Sequence, residues 1–158
     1  MENIEYPYIP EGREIKYVSS NNEFMVRARE LSLTSGCAKH PTAAAVVKEG
    51  IIIGIGSNAA KRMESCARWG SPTGQNYESC KDICHQEGHS EVTSVDDAIK
   101  KGHNTKDADL YLYGHWWCCE SCWNKMKEAG IRNVYLLEES WLIFNPEVNT
   151  AMKDWGRP

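Results

Sequence analysis

The sequence predicts an α/β protein whose mixed sheet is covered by helices. Three observations carry that reading. Residues 43–47 and 51–55 are apolar runs separated by Lys48-Glu49-Gly50, a hairpin pattern with glycine where a positive φ is needed. Residues 109–113 and 134–137 read as two later strands. Apolar residues at helical spacing precede each of these strands, and each helical run stops at a glycine, Gly102 and Gly130.

Taken in order, residues 1–20 look extended and carry no clear period. Asn21 and Asn22 then offer caps for a helix with Phe24, Ala28, Leu31 and Leu33 near helical spacing, ending around Ser35-Gly36. The hairpin follows. Residues 59–87 are the least regular stretch, rich in Gly, Ser, Cys and charge, and connections of that length are often functional. From His89 the helical period returns, with Val92, Val95, Ala98 and Ile99 on one face. After the strand at 109–113, Cys119, Cys122, Met126 and Ala129 mark a second helical face. Beyond the strand at 134–137, a short helix is expected from Asn145 onward. The whole of 1–158 reads as one domain with a core at about 21–140, an extended N-terminal segment and a short C-terminal one.

Composition narrows the class. Apolar content is 41% and charged content 25%, ordinary for a soluble globular protein. Eighteen Lys and Arg against twenty-two Asp and Glu give a net charge of −4, which argues against a binder of long nucleic acid. A small anionic substrate needs only a few local cations and stays open. No run approaches the length of a membrane-spanning helix, and no basic region precedes an apolar run near Met1, so no signal peptide is read. Seven cysteines without such a signal point to reduced thiols in the cytoplasm, and an odd number cannot all pair within one chain. Metal or catalytic duty is the better reading of the clustered ones.

The chemistry concentrates in His89-Ser90-Glu91 and Cys118-Cys119-Glu120-Ser121-Cys122, twenty-seven residues separating Glu91 from Cys119. Cys119 and Cys122 are three apart on a helix and share a face. Cys118 lacks that spacing to Cys122. His89 opens the earlier helix. One His and two Cys form a donor set that Zn²⁺ accepts in tetrahedral geometry, with the fourth position left for water. Helix N-termini favour negative charge at such a point. Glu91 follows His89 by two residues, roughly 200° round a helix axis. It is therefore poorly placed as a second ligand and better placed to move protons beside the metal. His-x-Glu followed by Cys-x-x-Cys is the known signature of the zinc-dependent deaminases. A purely structural zinc site, or buried thiols near a chance histidine, is the alternative account of the same residues.

At this point the sequence resembles the cytidine and deoxycytidylate deaminase superfamily, over most of the chain and closest to the deoxycytidylate (dCMP) branch. Ser35-Gly36-Cys37-Ala38-Lys39 and Ala43-Ala44-Ala45-Val46-Val47-Lys48-Glu49-Gly50 look like that branch's opening helix and hairpin. Gly56-Ser57-Asn58-Ala59 stands where the branch has Gly-Tyr-Asn-Gly, and Ala129-Gly130-Ile131 completes the pattern. Two positions depart from it: His-Ala-Glu is His-Ser-Glu here, and the proline before the first cysteine is Cys118.

The resemblance implies an α-β-α sandwich around a five-stranded mixed sheet, one catalytic zinc, a homo-oligomer, and hydrolytic deamination of a cytosine nucleotide or nucleoside, dCMP to dUMP favoured. It implies that Asn58 bonds the sugar or base edge and that Ser90 offers its backbone N–H to the base carbonyl. Asn58 as a plain turn residue is the alternative. Cys66, Cys80, Cys84 and His85 offer a second, structural zinc site, against reduced thiols in a loop. Lys61, Arg62 and Arg68 are candidates for a 5′-phosphate, against a solvated basic face. Tyr113, Trp116 and Trp117 are candidates to stack on the base or to pack in the core. His40 and His115 carry no assigned role. Rival activities are deamination of another small ring (a riboflavin-pathway pyrimidine, guanine or cytosine), a tRNA or DNA deaminase, and a non-catalytic zinc scaffold. A scaffold has no use for the non-ligand carboxylate of Glu91.

Overall fold

The computed structural model describes residues 8–35, 41–58, 89–145 and 149. Among the described residues five strands run Glu14–Val18 (β1), Ala43–Lys48 (β2), Ile51–Ser57 (β3), Asp109–Tyr113 (β4) and Asn133–Leu137 (β5). Four helices run there too: Glu23–Ser32 (α1), Ser90–Lys100 (α2), Glu120–Ala129 (α3) and Ser140–Phe144 (α4). The sheet order is β1-β5-β4-β2-β3. β1, β5 and β4 are mutually parallel, and β2 runs antiparallel to both β4 and β3.

Strand alternation sorts side chains into two cores. Leu110 and Leu112, Val134 and Leu136, and Ala44 and Val46 pack with Val95, Ala98, Cys122, Trp123 and Met126 beneath α2 and α3. Tyr111, Leu137 and Val47 face the other way, against Met25 of α1 and Phe144 of α4. β2 is central and covered on both faces, so Ala43 through Val47 are all buried and read as an unbroken apolar run. This is the expected sandwich, with helices on both faces of a mixed sheet.

Three expectations need correction. The N-terminal segment is not merely extended: Glu14–Val18 forms the parallel edge strand beside β5. Its outward side chains are exposed or half-buried, which blurs the alternation. Helix α1 ends at Ser32, before Ser35-Gly36, and Leu33 is 77% exposed, outside the apolar face. The short helix expected from Asn145 onward falls almost wholly outside the described residues, which place a helix at Ser140–Phe144 just before it. On α2 the buried face is Ser90, Glu91, Ser94, Val95 and Ala98, while Ile99 is 49% exposed.

β3 and α2 lie close because Gly54 and Gly56 have no side chain. A Cβ on Gly54 would sit 2.4 Å from the Ser94 carbonyl oxygen, and one on Gly56 2.6 Å from the Ser94 nitrogen. The Ile55 N–H donates to Asp97 Oδ2 at 2.9 Å, so a carboxylate of α2 covers one donor of this outer strand. Among the described residues no helix is long and apolar enough to cross a membrane.

Candidate active site

Sheet register brings three chain segments to one edge. Ala43 at the start of β2 pairs with Ser57 at the end of β3 and with Tyr113 at the end of β4. Thr42, Asn58 and Gly114 therefore meet there, at the carboxyl ends of β3 and β4. α3 begins just beyond β4, and α2 begins beside it. Sites in open α/β sheets gather at this kind of edge.

His89 is the N-cap of α2 and Cys119 the N-cap of α3; both are extended, and neither side chain caps its helix. Both point to a shared centre. His89 Nδ1 lies 3.3 Å from Cys122 Sγ and 3.6 Å from Cys119 Sγ, and the two sulfurs are 3.1 Å apart. The structure thus brings His89, Cys119 and Cys122 together, all three ligand atoms within 4.8 Å of one another. Tetrahedral zinc with ordinary Zn–S and Zn–N lengths requires separations of about 3.5–3.8 Å. The donor set fits after the two sulfurs, 3.1 Å apart, spread by about 0.7 Å.

The electrostatics suit a cation. The Cys119 thiol is pushed down to about 3, chiefly by the neighbouring Cys122 thiol and against its own burial, with help from His89 and Ser121. Cys122 is pushed up because it hydrogen-bonds Cys119, and burial adds to this. The two sulfurs are within hydrogen-bonding distance of each other, and binding a metal would displace their thiol protons. Cys118 lies outside the cluster; it is fully buried, and burial holds its thiol well above the ordinary range.

Glu91 is 6% exposed in the first turn of α2. Burial pushes its carboxyl up, with Cys119 adding to the rise, while His89 and the Cys122 hydrogen bond oppose it. Its charge also acts on Cys118. A buried carboxyl beside a metal-ligand cluster has the environment of an acid–base group.

Ser90 is fully buried, and its hydroxyl lies 2.5 Å from Thr42 Oγ1. Asn58 is 7% exposed, and its Oδ1 accepts from the Thr42 N–H at 3.1 Å and from Ser35 Oγ at 2.5 Å. The Asn58 N–H donates back to the Thr42 carbonyl at 3.2 Å. Thr42 was not singled out in the sequence, since periodicity does not score a hydroxyl placed one residue before a buried strand.

Among the aromatic candidates, Tyr113 packs edge-on against Phe144, with ring centroids 5.2 Å apart, and belongs to the core on the α1/α4 face. Trp116 meets Trp141 edge-on at 5.0 Å, and Trp117 lies 5.6 Å from Trp116. The indole N–H groups of Trp116 and Trp117 have no partner among the described residues. Lys61, Arg62, Arg68, Cys66, Cys80, Cys84 and His85 lie outside the described residues, as does His40.

The sequence matches the family described as the cytidine and deoxycytidylate deaminase zinc-binding region over residues 18–138. No curated protein matches the chain in sequence. Among solved structures it is similar to the dCMP deaminase of cyanophage S-TIM5 in apo form, at 21% identity and a TM-score of 0.53, covering 80% of this chain and 87% of that one. The same phage enzyme in complex with dCMP and dUMP aligns at 20% identity and a TM-score of 0.51, covering 82% and 89%. At this identity the likeness shows the shared fold. The family match, together with the His-Cys-Cys cluster at two helix N-termini, places this chain in the cytidine and deoxycytidylate deaminase family, as a zinc-dependent deaminase.

Proposed function

We propose that the chain deaminates the cytosine base of a small nucleotide, dCMP to dUMP ahead of other substrates. The observation that carries the reading is Glu91, a buried carboxyl beside a three-ligand zinc centre that it does not itself join. His89, Cys119 and Cys122 would hold a zinc ion, which would supply Lewis acidity that makes water acidic near neutral pH. Glu91 would take a proton from the attacking water and give it to the ring nitrogen as the oxygen adds to the amine-bearing carbon. Glu91 would then carry the proton of the new hydroxyl to the amine, so that the C–N bond breaks, the carbonyl forms and ammonia leaves. The Ser90 backbone N–H holds the base carbonyl, and Asn58 holds the sugar or base edge.

Support for a nucleotide comes from the phage dCMP deaminase of the same fold, solved with dCMP and dUMP, and from Lys61, Arg62 and Arg68 close after Asn58 in sequence. A charge-assisted contact to phosphate contributes roughly 1.5–3 kcal/mol, a tenfold or larger preference. Cys66, Cys80, Cys84 and His85 remain our candidates for a second, structural zinc, and family resemblance favours a homo-oligomer.

An ammonia-release screen over cytosine, cytidine, deoxycytidine, CMP, dCMP and the adenine and guanine counterparts tests the reading. dCMP should give the highest kcat/KM. Equal or better turnover of deoxycytidine removes the phosphate role, and preference for an adenine or guanine counterpart overturns the assignment.

A further inference from the structure

We infer that Thr42 is a positioning residue that sets the substrate-facing groups Ser90 and Asn58 in register with each other. Thr42 stands between them, with every polar group it owns committed. Its hydroxyl meets the Ser90 hydroxyl at 2.5 Å, its N–H donates to Asn58 Oδ1 at 3.1 Å, and its carbonyl accepts the Asn58 N–H at 3.2 Å. The backbone around it is closed from a third side by Gly114, at φ +99°. A Cβ there would lie 2.4 Å from the Pro41 carbonyl oxygen and 3.1 Å from Thr42 Cα, so only glycine lets the chain leaving β4 pass this close.

The Thr42–Ser90 bond joins β2 to the first turn of α2, between the ligand His89 and the carboxyl of Glu91. Both residues are buried, Thr42 at 6% exposure and Ser90 at 0%. Water has little access to replace either partner, and a buried hydroxyl without a partner is costly. The family's usual alanine at position 90 has no hydroxyl to pair. In this chain Ser90 and Thr42 work as a matched set, and the backbone N–H of Ser90 is aimed by the side-chain bond.

The inference rests on the proposed substrate roles of Ser90 and Asn58. Its test is a double-mutant cycle with Thr42→Val, Thr42→Ser and Ser90→Ala, read by KM, kcat, zinc content and melting temperature, with dCMP as the probe. Thr42→Val should raise KM roughly tenfold, with kcat within about threefold of the parent and zinc unchanged. Thr42→Ser, which keeps the hydroxyl, should restore the parent KM. In the Ser90→Ala background Thr42→Val should add no further change. Thr42→Ala takes the place of the valine variant if that fails to fold. An undiminished KM effect in the Ser90→Ala background overturns the coupling, and lower stability with an unchanged KM reduces Thr42 to a structural residue. If the parent ignores dCMP, the substrate reading fails on its own, and the same cycle is read on whichever screened base is deaminated.

Discussion

His89 and Cys119 occupy equivalent places on different helices. Each is an N-cap with almost the same backbone, φ −71° and ψ 161° for His89 and φ −72° and ψ 161° for Cys119. Neither side chain makes a capping bond to its helix, although such a bond is typically worth about 1 kcal/mol; the Cys119 sulfur instead meets Ser121 Oγ and Cys122 Sγ. Both helices forgo that bond, and the two side chains face one centre. The helix N-termini that result carry partial positive charge toward it, which favours negative charge there.

Chelation should therefore separate the three neighbouring cysteines. A metal bound only by the folded state stabilises it by mass action, so chelator should lower the parent's melting temperature. Cys119→Ala should lose zinc and show no further fall with chelator. Cys118→Ala should keep one equivalent and respond as the parent does, because Cys118 lies in the core. Metal analysis and thermal scans with and without chelator check this; zinc loss in Cys118→Ala with retention in Cys119→Ala would reverse the register.

Glu91→Gln keeps the size and much of the hydrogen bonding of the buried side chain but cannot carry a proton. Zinc content and melting temperature should hold. Turnover should fall by roughly 10²–10⁴-fold, with a much smaller change in KM. Loss of zinc in this variant would make Glu91 a ligand, and unchanged turnover would remove it from the mechanism.

Asp97 gives the fold a pH dependence of known sign. Burial raises its carboxyl, but Lys101 and the Ile55 N–H outweigh burial and hold it below the ordinary range. A carboxyl depressed in the folded state contributes stability above the unfolded value, about 3.9, and loses it as pH falls through the folded one. Asp97→Ala should cost about 1–2 kcal/mol near neutral pH. The gap to the parent should narrow below about pH 4. Denaturant titrations at pH 7 and pH 3 measure it; a gap that widens in acid contradicts the assignment.

Gly54→Ala and Gly56→Ala should each cost about 1–3 kcal/mol by overpacking, since the new methyl meets the backbone of α2 at Ser94. They should also weaken zinc retention, because α2 carries His89. Ile51→Ala, on a residue 64% exposed, is the control and should stay within about 0.5 kcal/mol. Stable glycine variants with full zinc would show that α2 can retreat without disturbing the site.

The elements that pack on both faces were the legible ones. Residues 109–113 were bounded correctly because Leu110 and Leu112 alternate with Tyr111 and Tyr113 between two cores. The hairpin was legible from Lys48-Glu49-Gly50, where Glu49 and Gly50 both take positive φ. β1 was not, because an edge strand reading Glu-Ile-Lys-Tyr-Val buries too little to show its period. On α2 the apolar pattern pointed to Ile99, while the buried face begins with Ser90, Glu91 and Ser94. A hydrophobic count misses a face whose first turn is polar for the sake of the site. The ligand cluster was legible because His-x-Glu and Cys-x-x-Cys match the zinc-deaminase signature; the hydroxyl pair of Thr42 and Ser90 was not, since forty-eight positions separate them.

The place of β1 also bears on the order in which the chain can fold. It pairs with β5, and Arg13 Nε donates to the Ile131 carbonyl 118 positions away. His89 and Cys122, by contrast, are only 33 apart. Contacts of high sequence separation form late, after the loop they close has been ordered. During synthesis β1 emerges first among the described strands, yet it must wait for β5, the last of them. The metal centre can assemble from neighbouring chain while the edge of β5 stands open, so that edge is the segment most exposed to pairing with another molecule until β1 docks.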